Sequence, residues 1–291
     1  MTTFAQSVRN YENKCIEADI PAETVMAFLV ELSQRERYDL YANFDSAMPE
    51  ELQKEFDEGM ARILLGEPMS HVLGYSWFYG YKILVNGDVL IPRYETEELC
   101  AGILSRMDEF FAGQDEIVTA DIGTGSGAIA ITLAKEEPKV KMYATDISEE
   151  ALVVAKENAK INDAEITFLC GDMSEPVEKE NIRLDVLVCN PPYIPQDEVM
   201  EKSVTDFEPH VALFGGEDGL FFYRKIFAHC HEVLKDKAFM AFEMGWNQRE
   251  AMTSLIKEYL PEMSFEIIKD INGKDRMLYV YRNLEKEKSY E

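Results

Sequence analysis

Seven short apolar runs occupy residues 117–281, and their spacing restricts the fold more than any other feature of the chain. Residues 117–122, 141–145, 166–170, 185–189, 238–242, 265–269 and 277–281 each read as a strand. Helical periodicity fills the gaps, most clearly where Leu220, Tyr223, Phe227, Cys230 and Leu234 share one face. Strand–helix alternation of this kind builds a parallel sheet covered by helices on both faces. The last two runs are joined only by residues 270–275, too short a connection for a right-handed crossover helix, so they must pair antiparallel or splay apart. The expected class is therefore α/β: a seven-stranded, mostly parallel, doubly wound sheet with one antiparallel strand.

Residues 1–75 have a different period. Val25, Phe28, Leu29 and Leu32, and again Leu52, Phe56, Met60, Ile63 and Leu64, recur at helical spacing. Pro49 followed by Glu50 and Glu51 suits a first helical turn, with acids where the helix dipole favours them. A small helical bundle is expected here, free of chemical motifs and suited to docking a protein. Over residues 76–92 the pattern becomes strand-like. Trp77, Phe78, Tyr79 and Tyr81 lead into Ile83, Leu84 and Val85, then Asn86-Gly87, then Val89, Leu90 and Ile91. Asn-Gly between apolar runs is the strongest short hairpin signal, so a β-hairpin turning at Asn86-Gly87 is expected to join the bundle to a domain at residues 93–291. The charged tail after Leu284 is expected to fray.

Composition narrows the partners. Of 291 residues 46% are hydrophobic, enough for a core, and the net charge is −26. Such a surface repels phosphate backbones, so direct nucleic-acid binding is disfavoured, while a basic protein or a cationic small molecule is suited. The five cysteines are odd in number and scattered, as expected of reduced thiols in a cytoplasmic protein. His229-Cys230-His231 invites a metal reading, but residues two apart on a helix point to different sides. The N-terminus lacks a signal peptide's apolar core, and no apolar run reaches the ~18 residues of a membrane span. A monomer is the expected state.

The chemistry lies at the strand ends. Asp121-Ile122-Gly123-Thr124-Gly125-Ser126-Gly127 follows the first strand of the sheet and opens a helix at Ala128. Glycines allow a tight turn and close backbone approach, and a helix N-terminus offers N–H groups to an anion. The spacing is not the Gly-x-Gly-x-x-Gly of dinucleotide folds, and Asp121 would repel a pyrophosphate yet accept from an ammonium. An amino-acid group therefore fits Asp121, Gly123, Thr124, Gly125, Ser126 and Gly127. Asp146 ends the second strand, where a carboxylate takes ribose hydroxyls. Asp172 and Met173 end the third, one to accept an adenine amino group and the other to pack on its ring. Amino acid, ribose and adenine in this order spell S-adenosyl-L-methionine, with S-adenosyl-L-homocysteine as product.

The fourth strand stops on Asn190-Pro191-Pro192-Tyr193. The prolines fix φ and donate no N–H, so the turn is a rigid cluster of acceptors beside the switch point where open α/β sheets bind ligands. Asn190 Oδ1 and the Pro191 carbonyl can each accept one N–H of an amide or an exocyclic amine, while Tyr193 covers the group. Asn190 is thus expected both to hold the reacting group for catalysis, with Pro191, Pro192 and Tyr193, and to lie against the cofactor. No histidine is placed as a base.

Accessory stretches sharpen this. The chain carries Ile91-Pro92-Arg93-Tyr94-Glu95-Thr96-Glu97, Glu208-Pro209-His210-Val211-Ala212-Leu213 and Gly215-Gly216-Glu217-Asp218-Gly219-Leu220. Phe242-Glu243-Met244-Gly245 with Gln248, and Gly273-Lys274-Asp275-Arg276, follow. With these it resembles the release-factor glutamine methyltransferases of the HemK/PrmC type along nearly its whole length. The resemblance implies N5 methylation of the glutamine in the Gly-Gly-Gln loop of peptide chain release factors, gripped in part by the N-terminal helices. One departure is Tyr94, where the family usually has proline. Arg93, Glu95 and Glu97 suit either an ion-pair network or the site, and Glu243 either the site or a cap on the next helix. An adenine N6-methyltransferase would use the same corner but needs a basic surface. A silent cofactor-binding adaptor would be expected to have lost the Asn190 corner.

Overall fold

The computed structural model describes residues 2–198 and 206–284, so the tail beyond Leu284 lies outside the described residues. Its contacts divide the chain into a helical unit that runs through Tyr75 and an α/β unit that begins at Ser76. Among the described residues no helix is long and apolar enough to cross a membrane.

The helical unit comprises α1 (Phe4–Glu17), α2 (Glu23–Ser33), α3 (Arg37–Ala42), α4 (Glu50–Leu64) and α5 (Met69–Leu73). Thr3 and Gln6 close α1 with a reciprocal capping box. Val25, Phe28 and Leu29 of α2 and Phe56, Met60 and Ile63 of α4 bury the apolar stripes seen in the sequence. Phe28 stacks on Phe56 with centroids 5.8 Å apart, and Tyr11 meets Phe56 edge-on at 5.4 Å. Gly59 is what lets the Phe28 ring lie against α4, because a Cβ there would overlap it.

The α/β unit opens with a hairpin, but not with the turn expected. β1 (Tyr75–Phe78) pairs with β2 (Tyr81–Leu84), so the two-residue loop is Tyr79-Gly80 rather than Asn86-Gly87. A two-residue loop of type I′ has φ > 0 at both positions, as Tyr79 (φ 50°) and Gly80 (φ 83°) do. The backbone N–H of Tyr79 is tied to Glu97 Oε1 at 2.8 Å, which helps hold a tyrosine in that conformation. Asn86 instead makes a local turn, its Oδ1 accepting from the Asp88 N–H at 3.0 Å. Val85, Val89 and Ile91 pack into the core rather than pairing as strand.

After α6 (Tyr94–Phe111) come β3 (Ile117–Ile122), α7 (Ala128–Glu136), β4 (Val140–Asp146), α8 (Glu149–Ile161), β5 (Ile166–Cys170), α9 (Glu175–Lys179) and β6 (Leu184–Cys189). A short 3₁₀ turn (His210–Ala212) precedes α10 (Phe221–Val233), β7 (Leu234–Glu243), α11 (Arg249–Tyr259), β8 (Ser264–Lys269) and β9 (Asp275–Arg282). The sheet order is β5-β4-β3-β6-β7-β9-β8, and β9 alone runs antiparallel to both neighbours. The short 270–275 connection thus has the consequence drawn from its length. Alternate residues of β3 and β6 face two different cores. Val186 and Val188 join one beneath α6 and α7; Val118, Ala120, Ile122 and Leu187 join the other beneath α10 and α11. At the opposite edge the buried Asp185 accepts from the Val118 N–H at 2.8 Å and from Lys235 Nζ at 2.6 Å.

Gly59→Ala should destabilise the helical unit. The helix-propensity gain of about 1 kcal/mol is outweighed by overpacking of about 1–3 kcal/mol against a ring that Phe56 prevents from moving. Thermal unfolding of the full chain, followed by circular dichroism in the helical band, should show an earlier onset.

Candidate active site

β3 pairs with β4 on one side and β6 on the other, so the strand order reverses beside β3. The loops after β3 and β6 must diverge there, and a cleft opens at the strands' C-terminal ends. It holds a cavity of about 320 Å³ lined by Gly123, Thr124, Gly125, Ser126, Asp146, Asp172, Met173, Asn190, Pro191 and Pro192, with Phe78, Leu90, Ile129 and Phe221 as apolar wall. Ten of the thirteen residues singled out in the sequence are therefore on one surface. Asp121, Gly127 and Tyr193 are not on that wall.

The glycine loop is shaped by its partners. The N–H groups of Gly123 and Thr124 bond the Thr145 carbonyl at 2.9 and 2.8 Å, and Gly125 N–H bonds Asp146 Oδ2 at 2.8 Å. Gly127 has φ 83°, and a Cβ there would crowd Ala155 of α8. The other Asp146 oxygen accepts from the Ser148 N–H at 3.0 Å. Asn158 of α8 clamps this loop from behind. Its Nδ2 donates to the carbonyls of Ser126 and Leu84, each at 2.9 Å, and its Oδ1 accepts from the Leu84 N–H at 2.7 Å.

Asp121 lies beneath the loop, 1% exposed. Oδ2 accepts from Thr124 Oγ1 at 2.7 Å, whereas Oδ1 is buried without a partner. Burial pushes its carboxyl up to about 7, the Thr124 hydrogen bond opposes the rise and the charge of Asp146 adds to it. At the end of β5, Asp172 is paired with Lys225 of α10. Met173 sits beside it at φ 52°, its carbonyl held by Thr145 Oγ1 at 3.0 Å.

Asn190 is held from inside the protein. Glu243 ends β7 next to it, because Cys189 pairs with Phe242. Asn190 Nδ2 donates to Glu243 Oε2 at 3.0 Å and to Thr96 Oγ1 at 3.3 Å, and Thr96 itself donates to Glu243 Oε2 at 2.6 Å. Tyr193 departs from expectation. Its hydroxyl turns inward to Glu243 Oε1 at 3.2 Å, with Arg276 at 3.4 Å, so the phenol serves a buried carboxylate instead of covering the cavity. Burial is the main force raising the Glu243 pKa, opposed by the Thr96 bond and the charge of Arg276. Glu243 does not cap α11, whose N-cap residue is Gln248.

The accessory stretches converge behind this corner. Gln248 donates to the Tyr193 carbonyl at 3.1 Å. Gly215 N–H bonds the Ile194 carbonyl at 2.8 Å, and a Cβ at Gly215 would strike the Pro192 carbonyl. Arg93 pairs with the buried Glu208 at 2.5 Å, whose other oxygen accepts from Ile91 N–H at 3.2 Å. Arg93 and Glu97 thus have structural partners, and Arg93 also lines the cavity. Tyr94 is exposed at the first turn of α6. Thr96 and Asn158 escaped the sequence reading: the first lay unremarked inside the 91–97 stretch, and the second has no local signal. Among the described residues no His, Cys, Asp and Glu cluster suits a metal ion.

Known proteins match both halves of the chain. Residues 8–74 match the PrmC N-terminal domain and residues 103–240 the Methyltransferase small domain. The release factor glutamine methyltransferase of Bacillus cereus is 46% identical over 245 residues, covering 84% of this chain and 86% of that one. That of Bacillus subtilis is 37% identical over 280 residues, covering 96% and 97%. A methyltransferase structure from Pyrococcus furiosus aligns with a TM-score of 0.51 at 18% identity, over 78% of this chain and 100% of that one, a likeness of fold alone. By its similarity to these relatives over most of its length, the chain belongs to the release factor glutamine methyltransferase family.

Proposed function

We propose that this protein methylates the side-chain amide nitrogen (N5) of the glutamine in the Gly-Gly-Gln motif of peptide chain release factors, with S-adenosyl-L-methionine as donor. The observation that carries the reading is the Asn190-Pro191-Pro192 turn on the wall of the cavity that the glycine loop also lines. The donor supplies an electrophilic methyl group on a sulfonium. The residues present fit it: Asp121 keeps a buried oxygen without a partner, and Asp146 has one lone pair left on each oxygen for ribose hydroxyls. Asp172 retains Oδ1 for an amino group, since Lys225 takes Oδ2.

A carboxamide nitrogen is a weak nucleophile because its lone pair is delocalised. Asn190 Oδ1 and the Pro191 carbonyl accept its two N–H groups and turn the lone pair toward the methyl position. Rate then comes from orientation, to which a misplacement of ~1 Å can cost about 100-fold. The new N–C bond forms as the donor's S–C bond breaks to leave a thioether; the nitrogen's proton becomes acidic only then and is lost to water, so no base has to act first. The helical unit is assigned to gripping the release factor.

Incubating the protein and donor with release factor, and duplex DNA as competitor, should yield a methyl group on the glutamine by mass spectrometry and none on DNA. Methylation of DNA alone would reject the assignment. Asn190→Ala should lower transfer by about 100-fold or more while donor affinity stays within a few-fold; undiminished turnover would remove its role. Asp146→Ala should weaken donor binding by about 10- to 100-fold, the worth of one or two lost hydrogen bonds, read by calorimetry.

Proton linkage offers a further check. A bound cation favours ionised Asp121, so its raised pKa, about 7 in the free protein, should fall on binding. The wild type should therefore release more protons on binding near pH 6.5 than Asp121→Asn does, and the difference should vanish by pH 8.5, where Asp121 is already ionised. Calorimetry in buffers of unequal ionisation enthalpy measures this; equal release by the two proteins at pH 6.5 would contradict it.

A further inference from the structure

We propose that Glu243 is a positioning residue for the transfer step: its buried carboxylate fixes the Asn190 amide with Nδ2 inward, leaving Oδ1 for the substrate. The proposal rests on the reading of Asn190 as the group that holds the reacting amide. An asparagine amide is nearly symmetrical in shape, so packing alone does not choose between its two orientations. Chemistry has to choose, and both of its neighbours here choose alike. A carboxylate can only accept, so Glu243 Oε2 at 3.0 Å requires the NH₂ end of Asn190. Thr96 has one hydroxyl hydrogen, and its 2.6 Å bond commits it to the same Oε2. The lone pairs of Thr96 Oγ1 then face Asn190 Nδ2 at 3.3 Å, so that partner is an acceptor as well.

Asn190 Oδ1 has no protein partner among the described residues, and the side chain belongs to the cavity wall. Were the amide reversed, an N–H would meet the N–H of the incoming glutamine, and Oδ1 would meet a carboxylate. Glu243 is in turn held in place from its other side. It is 2% exposed, its Oε1 accepts from the Tyr193 hydroxyl at 3.2 Å, and Arg276, anchored on the Asp270 carboxylate at 3.3 Å, stands behind that hydroxyl. The carboxylate thereby joins the ends of β6 and β7, the first turn of α6 and the start of β9 at one atom cluster. Burying a charge is costly unless its lone pairs are satisfied, and here Thr96, Asn190 and Tyr193 all donate to it.

The test uses the full chain with Glu243→Leu and Glu243→Gln. Leucine removes the acceptor at similar volume. Glutamine can keep an oxygen toward Thr96 and Asn190 while its NH₂ turns to the Tyr193 oxygen. The expected result is a split: kcat for release-factor glutamine falls about 100-fold in Glu243→Leu and stays within about 10-fold in Glu243→Gln, with donor Kd within about 3-fold in both. In the wild type, the Asn190 side-chain NH₂ should exchange slowly with solvent by NMR, and Glu243→Leu should release it. Full kcat in Glu243→Leu would overturn the proposal. So would equal loss of kcat, donor affinity and melting temperature in both variants, the mark of a merely structural carboxylate. If Glu243→Leu fails to fold, the wild-type exchange rate decides: free-solvent exchange at Asn190 overturns the proposal and protection supports it. Should the wild type transfer no methyl to release factor, the assigned reaction falls, while the exchange measurement still judges the Glu243–Asn190 pairing on its own.

Discussion

A parallel strand can be followed by another only after the chain has returned along the outside of the sheet. Every loop that leaves such a strand therefore opens at the same edge. In this protein that topological constraint brings Gly123, Thr124, Gly125, Ser126, Asp146, Asp172 and Asn190 to one cavity, although they are scattered over residues 123–190. The reversal of order at β3 then keeps the loops after β3 and β6 from closing over each other. The antiparallel β9 adds something a wholly parallel sheet would not. It runs the opposite way beside β7, so its first residues, with Arg276, reach the same edge as the end of β7, with Glu243.

Much of this was legible because it depends on local signals. Uninterrupted apolar runs gave the strands to within a few residues, and the brevity of residues 270–275 left antiparallel pairing or splaying, of which the sheet shows the first. Glycine spacing and strand-end carboxylates marked the cavity wall. The hairpin turn was misplaced because Asn86-Gly87 is the stronger local sequence, whereas the observed turn relies on Glu97, 18 residues away, to hold Tyr79. Tyr193 was given a place on the wall because nothing nearby in sequence reveals Glu243, 50 residues on, as a carboxylate needing donors. Thr96 and Asn158 act wholly through residues remote in sequence, and no periodicity announces such partners.

The electrostatics of the cleft point one way. Asp146 faces the cavity, Asp172 is already paired with Lys225, and Asp121 lies buried beneath the glycine loop with one oxygen unbonded. Positive charge brought beside Asp121 opposes the burial that raises its pKa, in keeping with the cationic donor proposed. The net charge of −26 makes the chain as a whole strongly acidic.

The Asn158 clamp has a consequence for where the α/β unit can be said to begin. One buried side chain completes both the edge of β2 and the underside of the glycine loop, through Leu84 and Ser126. A fragment trimmed to start at α6 would keep every strand of the large sheet, yet strip that amide of two of its three bonds in the interior. The hairpin thus braces the glycine loop from behind, and a fragment meant to keep that loop's shape has to include it.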